Sequence, residues 1–297
     1  MDDKLRGTIE MSLAMVILGT IGWFVVLSGR PVADVVFWRC AFGATTLLVV
    51  SAASGSLHAA LSVRVLVLSA IGGVAIVVNW VLLFAAYSHA SISIATAVYN
   101  TQPFMLIAFG AVVFSERLTA AKLTWLGLAF AGLLLVVQVK PEADYVGEDY
   151  VTGIVLALGA AFFWAVAAIA TKSLRGTPPH LIALIQVVIG TFMLAPFADL
   201  SHPPASAESW AMLATVGIVH TGLVYILMYA AIQRLPTDLQ GSLSFVYPVV
   251  AILVDVVALG NSLHASQSVG AAAILFAAAA MNRGWSPWSR RASPQPP

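Results

Sequence analysis

The stretch PVADVVFWRCAFGATTLLVVSAA, residues 31–53, holds only two charges, Asp34 near its start and Arg39 in its interior. A helix rises about 1.5 Å per residue, so the run from Val32 to Ala53 is long enough to cross the roughly 30 Å of a bilayer's hydrocarbon core. Arg39 lies about eight residues in, roughly 12 Å from the nearer surface at that rise. Insertion at a helix centre costs an arginine about 2.5–3.5 kcal/mol, and less towards the surface, so the residue is tolerable only where it is paired or reaches water.

The whole chain repeats the message of this stretch. Its 297 residues are 60% hydrophobic and 9% charged, with a mean hydropathy of +0.95, more apolar surface than a soluble core of this size can hide. A lipid bilayer is therefore the expected partner. The net charge of +1 calls for no nucleic acid or acidic partner, and the single cysteine, Cys40, excludes an internal disulfide framework.

Runs long enough to span number ten: Thr8–Leu27, Val32–Ala53, Val65–Tyr87, Ile92–Phe114, Ala121–Val139, Val151–Thr171, Leu181–Ala198, Trp210–Ile232, Leu239–Leu259 and Ser266–Met281. The first follows the basic start MDDKLRG, but it is long and no A-x-A-like cleavage site follows, so it counts as a span. An even number of spans puts both termini on one side. Eleven basic residues, among them Lys4, Arg64, Lys122, Lys172 and Arg234, fall on that side, and only Arg30 and Lys140 on the other, Arg39 set aside. The positive-inside rule makes the termini cytoplasmic. The loop KPEADYVGEDY is acidic without the spacing of a calcium loop, so no metal or other cofactor is expected, and the Pro/Ser-rich tail is expected to be disordered.

The chain also repeats itself. A shift of 145 places LSAIGGV (68–74) over LATVGIV (213–219), FAAY (84–87) over YAAI (229–232) and Pro103 over Pro248; a shift of 147 pairs Gly43 with Gly190 and Arg39 with Gln186. Two copies of five spans follow, and because five is odd the second enters the membrane inverted, the plan of secondary transporters with a site near the midplane. The expected fold is an all-α membrane protein of ten transmembrane helices, two inverted five-helix repeats around a central cavity. Its divisions are residues 1–140, an outer loop 141–149, residues 150–282 and a tail 283–297.

PVADVVFWRCAFGA, AVYNTQPF, FSERLTAAKLTWLGLAFAGLLLV and LALGAAFFWAVAAIATKSL together resemble the EamA-type members of the drug/metabolite transporter superfamily, over nearly the whole chain. Within it the chain looks most like the YddG-type exporters of aromatic and other neutral amino acids. The resemblance implies ten helices in two inverted halves and a small-molecule substrate. The second copy of SERLT reads GNSLH, with Asn261 in the place of Glu116, so that acid's role is not symmetric.

Thr96, Tyr99, Asn100 and Pro103 are spaced i, i+3, i+4, i+7 and would share one face of a continuous helix. Pro103 and Pro248 each free a carbonyl and are hinge candidates. Facing substrate-binding candidates are Trp23, Asn79, Trp80, Trp164, Tyr225, Tyr229, Ser244 and Tyr247, with Trp164 foremost because it lies mid-span among alanines. Aromatic walls with scattered hydrogen-bonding groups suit an amphipathic small molecule. His220 is expected to be a satisfied packing histidine, and Glu10 an ion-paired structural acid.

No HExxH, GxSxG or mid-membrane pair of aspartates points to an enzyme, and no cluster of cations suits phosphorylated cargo. The expected function is export of small amphipathic metabolites, foremost aromatic and other neutral amino acids, by alternating access in a bacterial-type inner membrane, as a monomer. The alternative is an EamA-type carrier of a lipophilic drug or a nucleobase-like metabolite. For Arg39 two roles stay open: a structural charge paired with Asp255, which is favoured, and a contact to a substrate carboxylate.

Overall fold

The computed structural model describes residues 2–59, 62–89, 92–137, 148–259 and 264–287. Among these residues every regular element is helical. In chain order they are α1 (Asp3–Gly19), α2 (Ile21–Ser28), α3 (Val32–Ala53), α4 (Ser56–Ala59), α5 (Val63–His89), α6 (Ile92–Tyr99), α7 (Gln102–Phe114) and α8 (Ala120–Val137). There follow α9 (Glu148–Ser173), α10 (Pro179–Leu194), α11 (Ala207–Gly217), α12 (Val224–Arg234), α13 (Thr237–Ser244), α14 (Val246–Leu259) and α15 (Ala265–Arg283). Among the described residues eight helical segments are long and apolar enough to cross a membrane; Gln102–Phe114 and Ala120–Val136 are shorter apolar helices. The acidic loop expected at 141–149 and the tail beyond Ser286 fall largely outside the described residues.

Several of the crossing segments are interrupted. The run expected to form one helix over 92–114 breaks at Asn100–Thr101, and the run over 239–259 breaks at Phe245. Pro103 is the second residue of α7 and Pro248 the third of α14. Proline fits a first helical turn, where no intrahelical N–H is needed, and resists the helical conformation just before it. Side chains at each break bond back to carbonyls of the preceding turn: Asn100 Nδ2 donates to Thr96 O at 2.8 Å and Thr101 Oγ1 to Val98 O at 2.7 Å, beside the backbone N–H groups of Asn100 and Thr101 on the same two oxygens, and Ser244 Oγ donates to Gly241 O at 2.7 Å. The single polar face expected of Thr96, Tyr99, Asn100 and Pro103 is thereby corrected, since the chain turns between Tyr99 and Gln102 and Pro103 belongs to a new helix.

A third irregularity joins α11 to α12, where Ile218–Leu223 forms a π-helical stretch. The wider turn shifts the register of everything beyond it, and such bulges mark functional positions disproportionately.

Lipid offers helices no hydrophobic reason to associate, so close packing over small residues carries much of the interface. A Cβ on Gly43 of α3 would lie 2.7 Å from Thr221 Cγ2, and one on Gly222 would lie 2.9 Å from Thr46 Cγ2. These glycines seat α3 against the π stretch. Elsewhere, a Cβ on Gly132 of α8 would lie 2.7 Å from the Gly270 carbonyl oxygen of α15, and one on Gly241 of α13 would lie 2.9 Å from Pro103 Cβ of α7. Backbone cannot yield as a flexible side chain can. Gly270→Val is therefore expected to destabilise the detergent-purified protein by about 1–3 kcal/mol, read as a lower melting temperature, whereas Gly127→Ala, whose Cβ would meet nothing within 4 Å, is expected to leave it unchanged.

Candidate functional site

The α3–π contact places the interior arginine. Arg39 Nε donates to Thr221 Oγ1 at 2.9 Å, and Arg39 Nη2 to the Tyr225 hydroxyl at 3.2 Å. The guanidinium carbon stands 4.6 Å from the centre of the Trp80 ring and 5.8 Å from that of Tyr225. Arg39 is half-buried, while Trp80, Thr221 and Tyr225 are buried. Four elements therefore meet at one cation: α3 brings Arg39, α5 brings Trp80, the π stretch brings Thr221 and α12 brings Tyr225.

An aromatic and amide relay extends this cluster. Tyr225 and Tyr229, four residues apart on α12, stack with ring centroids 5.2 Å apart, and the Tyr229 hydroxyl donates to Oε1 of buried Gln186 on α10. Gln186 is the residue that the repeat aligns with Arg39. Its close fit rests on Gly72 and Gly73 of α5, where a Cβ would meet the Gln186 side chain or backbone.

The other expected site residues divide by what their polar atoms do. Asn79 Nδ2 donates to Ala160 O at 2.7 Å and ties α5 to α9, while its Oδ1 is buried and unpaired. Asn100 and Ser244 are buried and use their side chains on their own helix breaks. Trp23 is half-buried and meets Phe24 edge-on at 5.1 Å. Thr96 and Tyr99 on α6, Trp164 on α9 and Tyr247 on α14 are half-buried. Among the described residues Arg39 makes no hydrogen bond or ring contact to Trp23, Thr96 or Trp164. The Asp255 side chain, expected to pair with Arg39, lies outside the described residues. His220 is buried and shares a hydrogen bond of 2.9 Å with Thr20 Oγ1, the residue at the α1–α2 break. Thr221 was not legible as a site residue, because its approach to Arg39 depends on the π register.

At the end of the bundle where α1 begins and α15 finishes, charged side chains tie the helix ends together. Glu116 Oε1 pairs with Lys172 Nζ at 2.7 Å, and Glu116 Oε2 accepts from Thr237 N at 2.9 Å and Thr237 Oγ1 at 2.5 Å. Lys172 also donates to Leu235 O at 2.8 Å, and Lys122 pairs with Asp238 at 3.2 Å. Glu10 is held by Arg234 at 2.5 Å and Arg6 at 3.1 Å, the ion-paired acid expected. Ser115, with a positive φ of 54°, turns the chain out of α7 immediately before Glu116.

Burial works to raise the Glu116 carboxyl, but the hydrogen bonds from Lys172 and Thr237 and the Lys172 charge outweigh it and hold it below its ordinary value of 4.5. A depressed folded value stabilises the closed arrangement above the ordinary carboxylate range, and that contribution is lost as pH falls through the depressed value. Melting temperature measured downward from pH 6 should fall more steeply below about pH 4.5 for the wild type than for Glu116→Gln, which has no such carboxylate to protonate. Parallel curves would remove Glu116 from the closure.

The EamA-like transporter family profile matches residues 5–138 and again 151–283. The chain is 29% identical to the uncharacterized transporter YxxF of Bacillus subtilis over 90% of its own length and 86% of that protein's. It is 23% identical to the aromatic amino acid exporter YddG of Ancylobacter novellus over 52% of its length and 55% of the exporter's. It is 27% identical to the threonine/homoserine exporter RhtA of Escherichia coli over 63% and 61%. A solved crystal structure superposes with a TM-score of 0.80 over 93% of this chain and 96% of the other, at 22% identity, a likeness that shows the fold. With both matches together covering most of its length, the chain belongs to the EamA-like transporter family.

Proposed function

We propose that the protein is a bacterial inner-membrane secondary transporter that exports small amphipathic metabolites, foremost aromatic and other neutral amino acids, by alternating access. The observation that carries this reading is the cluster around Arg39, in which one cation, two hydroxyls and the faces of Trp80 and Tyr225 converge from four helical elements. Polar groups set among aromatic walls suit a molecule with a charged head and an apolar body. The names of the aromatic amino acid and threonine/homoserine exporters among the relatives support the same class of cargo.

The working architecture is ten spans in two inverted halves, residues 1–140 and 150–282, with both termini cytoplasmic and the monomer as the transporting unit. The family profile matches once in each half. The breaks at Asn100 and Phe245 are related by the 145-residue shift that aligns Pro103 with Pro248. Discontinuous helices in corresponding positions are what a midplane site between two repeats requires. Alternating access then amounts to separating α7 from α13 on the charged, closed side. On the other side of each break, α6 packs on α5, α8 and α9, whereas α14 packs mainly on α1 and also touches α2, α8 and α15.

The test is uptake of a labelled amino acid panel by proteoliposomes, with and without a pH gradient. Wild-type protein should move phenylalanine and threonine, and the gradient's effect reports proton coupling. Trp164→Ala, folded by its melting temperature, should impair aromatic cargo about 2–12-fold more than threonine, the equivalent of roughly 0.5–1.5 kcal/mol of stacking. Failure to move any panel member would refute amino acid export, and equal impairment of all cargo would make Trp164 a packing residue.

A further inference from the structure

We infer that Arg39 is the residue that binds a carboxylate of the cargo, so that the protein selects molecules in which a carboxylate adjoins an apolar or aromatic body. The inference deepens the transport reading above and rests on it.

A guanidinium has five N–H donors, of which Nε–H and one Nη2 hydrogen lie along one edge. That edge is taken, by Thr221 Oγ1 at 2.9 Å and the Tyr225 hydroxyl at 3.2 Å. Three donors remain, two on Nη1 and one on Nη2, and one from each nitrogen makes the terminal fork, whose geometry matches the two oxygens of a carboxylate. None of the Arg39 nitrogens is both buried and unpartnered, in contrast to Nε of Arg30. Arg39 is only half-buried, so its remaining donors are not sealed inside the protein.

Among the described residues Arg39 is aimed without being neutralised by an acid. Among the described residues no carboxylate lies within ion-pairing distance of it, and Asp34, the acid on its own helix, is engaged by Arg30 at 2.5 Å and by Asp199 N at 2.8 Å. Its partners are two neutral hydroxyls and two ring faces, which fix a cation's position and leave its charge for a ligand. The surroundings also suit the rest of the cargo: the Trp80 face and the stacked Tyr225–Tyr229 pair offer an aromatic wall beside the fork.

The experiment uses full-length protein and three probes, L-phenylalanine, 3-phenylpropionate and L-phenylalaninamide. Binding is read as a concentration-dependent rise in melting temperature in detergent, and movement as counterflow in proteoliposomes. Wild type should prefer the two carboxylates to the amide by at least about tenfold. Arg39→Gln should lose that preference, and Arg39→Lys, which keeps the charge without the fork, should fall between. Should Arg39→Gln fail to fold, the wild-type preference and Arg39→Lys decide. Equal treatment of acid and amide by the wild type overturns the inference, as does a preference retained in full by Arg39→Lys and Arg39→Gln. Asp255→Asn gives a further arm: if it abolishes stability as Arg39→Gln does and the double variant restores it, the pair is structural and the inference falls. Vesicles that move the amide but not the acids would retain transport and sink the Arg39 site; carboxylates that stabilise through Arg39 without moving would retain the site and sink transport.

Discussion

A guanidinium held in the interior of a membrane protein by hydroxyls and ring faces governs what the rest of this structure must do. In a low-dielectric interior a charge needs either an opposite charge or a dense set of oriented dipoles and π faces. Arg39 has the second kind of partner among the described residues, and gathering it takes side chains from α5, the π stretch and α12. Bringing those elements close enough is the task of the glycines. Gly43 and Gly222 let α3 lie on the π stretch, and Gly72 and Gly73 let α5 lie on Gln186. Packing and polarity are one constraint here, since a larger residue at Gly43 would push Thr221 away from the cation as well as open the interface.

The interrupted helices serve the same end by different means. A continuous transmembrane helix satisfies its own backbone and offers nothing to a ligand; breaking it frees carbonyls that need partners. At Asn100–Thr101 and Phe245 the side chains of Asn100, Thr101 and Ser244 bond back to carbonyls of the preceding turn. What remains is two half-helix pairs. On the closed side α7 and α13 are in contact through Pro103 with Gly241 and Gly110 with Thr237, and are tied by Glu116 and Lys172 at their end. Buried apolar side chains of both helices, Leu106 and Ile107 of α7 and Leu239 and Leu243 of α13, join the same hydrophobic core.

Composition and run length made the membrane class legible, and the spacing of prolines made the sites of helix breakage legible to within a few residues. Arg39, Trp80 and Tyr225 stood out because charge and aromatic size are visible without a structure. Thr221 did not, because its approach to Arg39 is set by the extra residue of a π turn, which leaves no periodic signature. Asn100 and Ser244 read as ligand contacts by polarity alone; in the structure each also donates to a carbonyl of its own helix. The pairing of Glu116 with Lys172 and Thr237 is likewise a product of topology: residues far apart in sequence meet only once α7 and α13 are packed, and the Ser115 turn aims the carboxylate.

The central claim is that cargo passes only when α7 and α13 part. Cysteines placed at Gly110 and Thr237 in a Cys40→Ser background, where the two positions are in direct contact, can be joined by an oxidant and released by a reductant. The account predicts that the cross-link stops proteoliposome transport of labelled phenylalanine and that reduction restores it. Undiminished transport by fully cross-linked protein would contradict it.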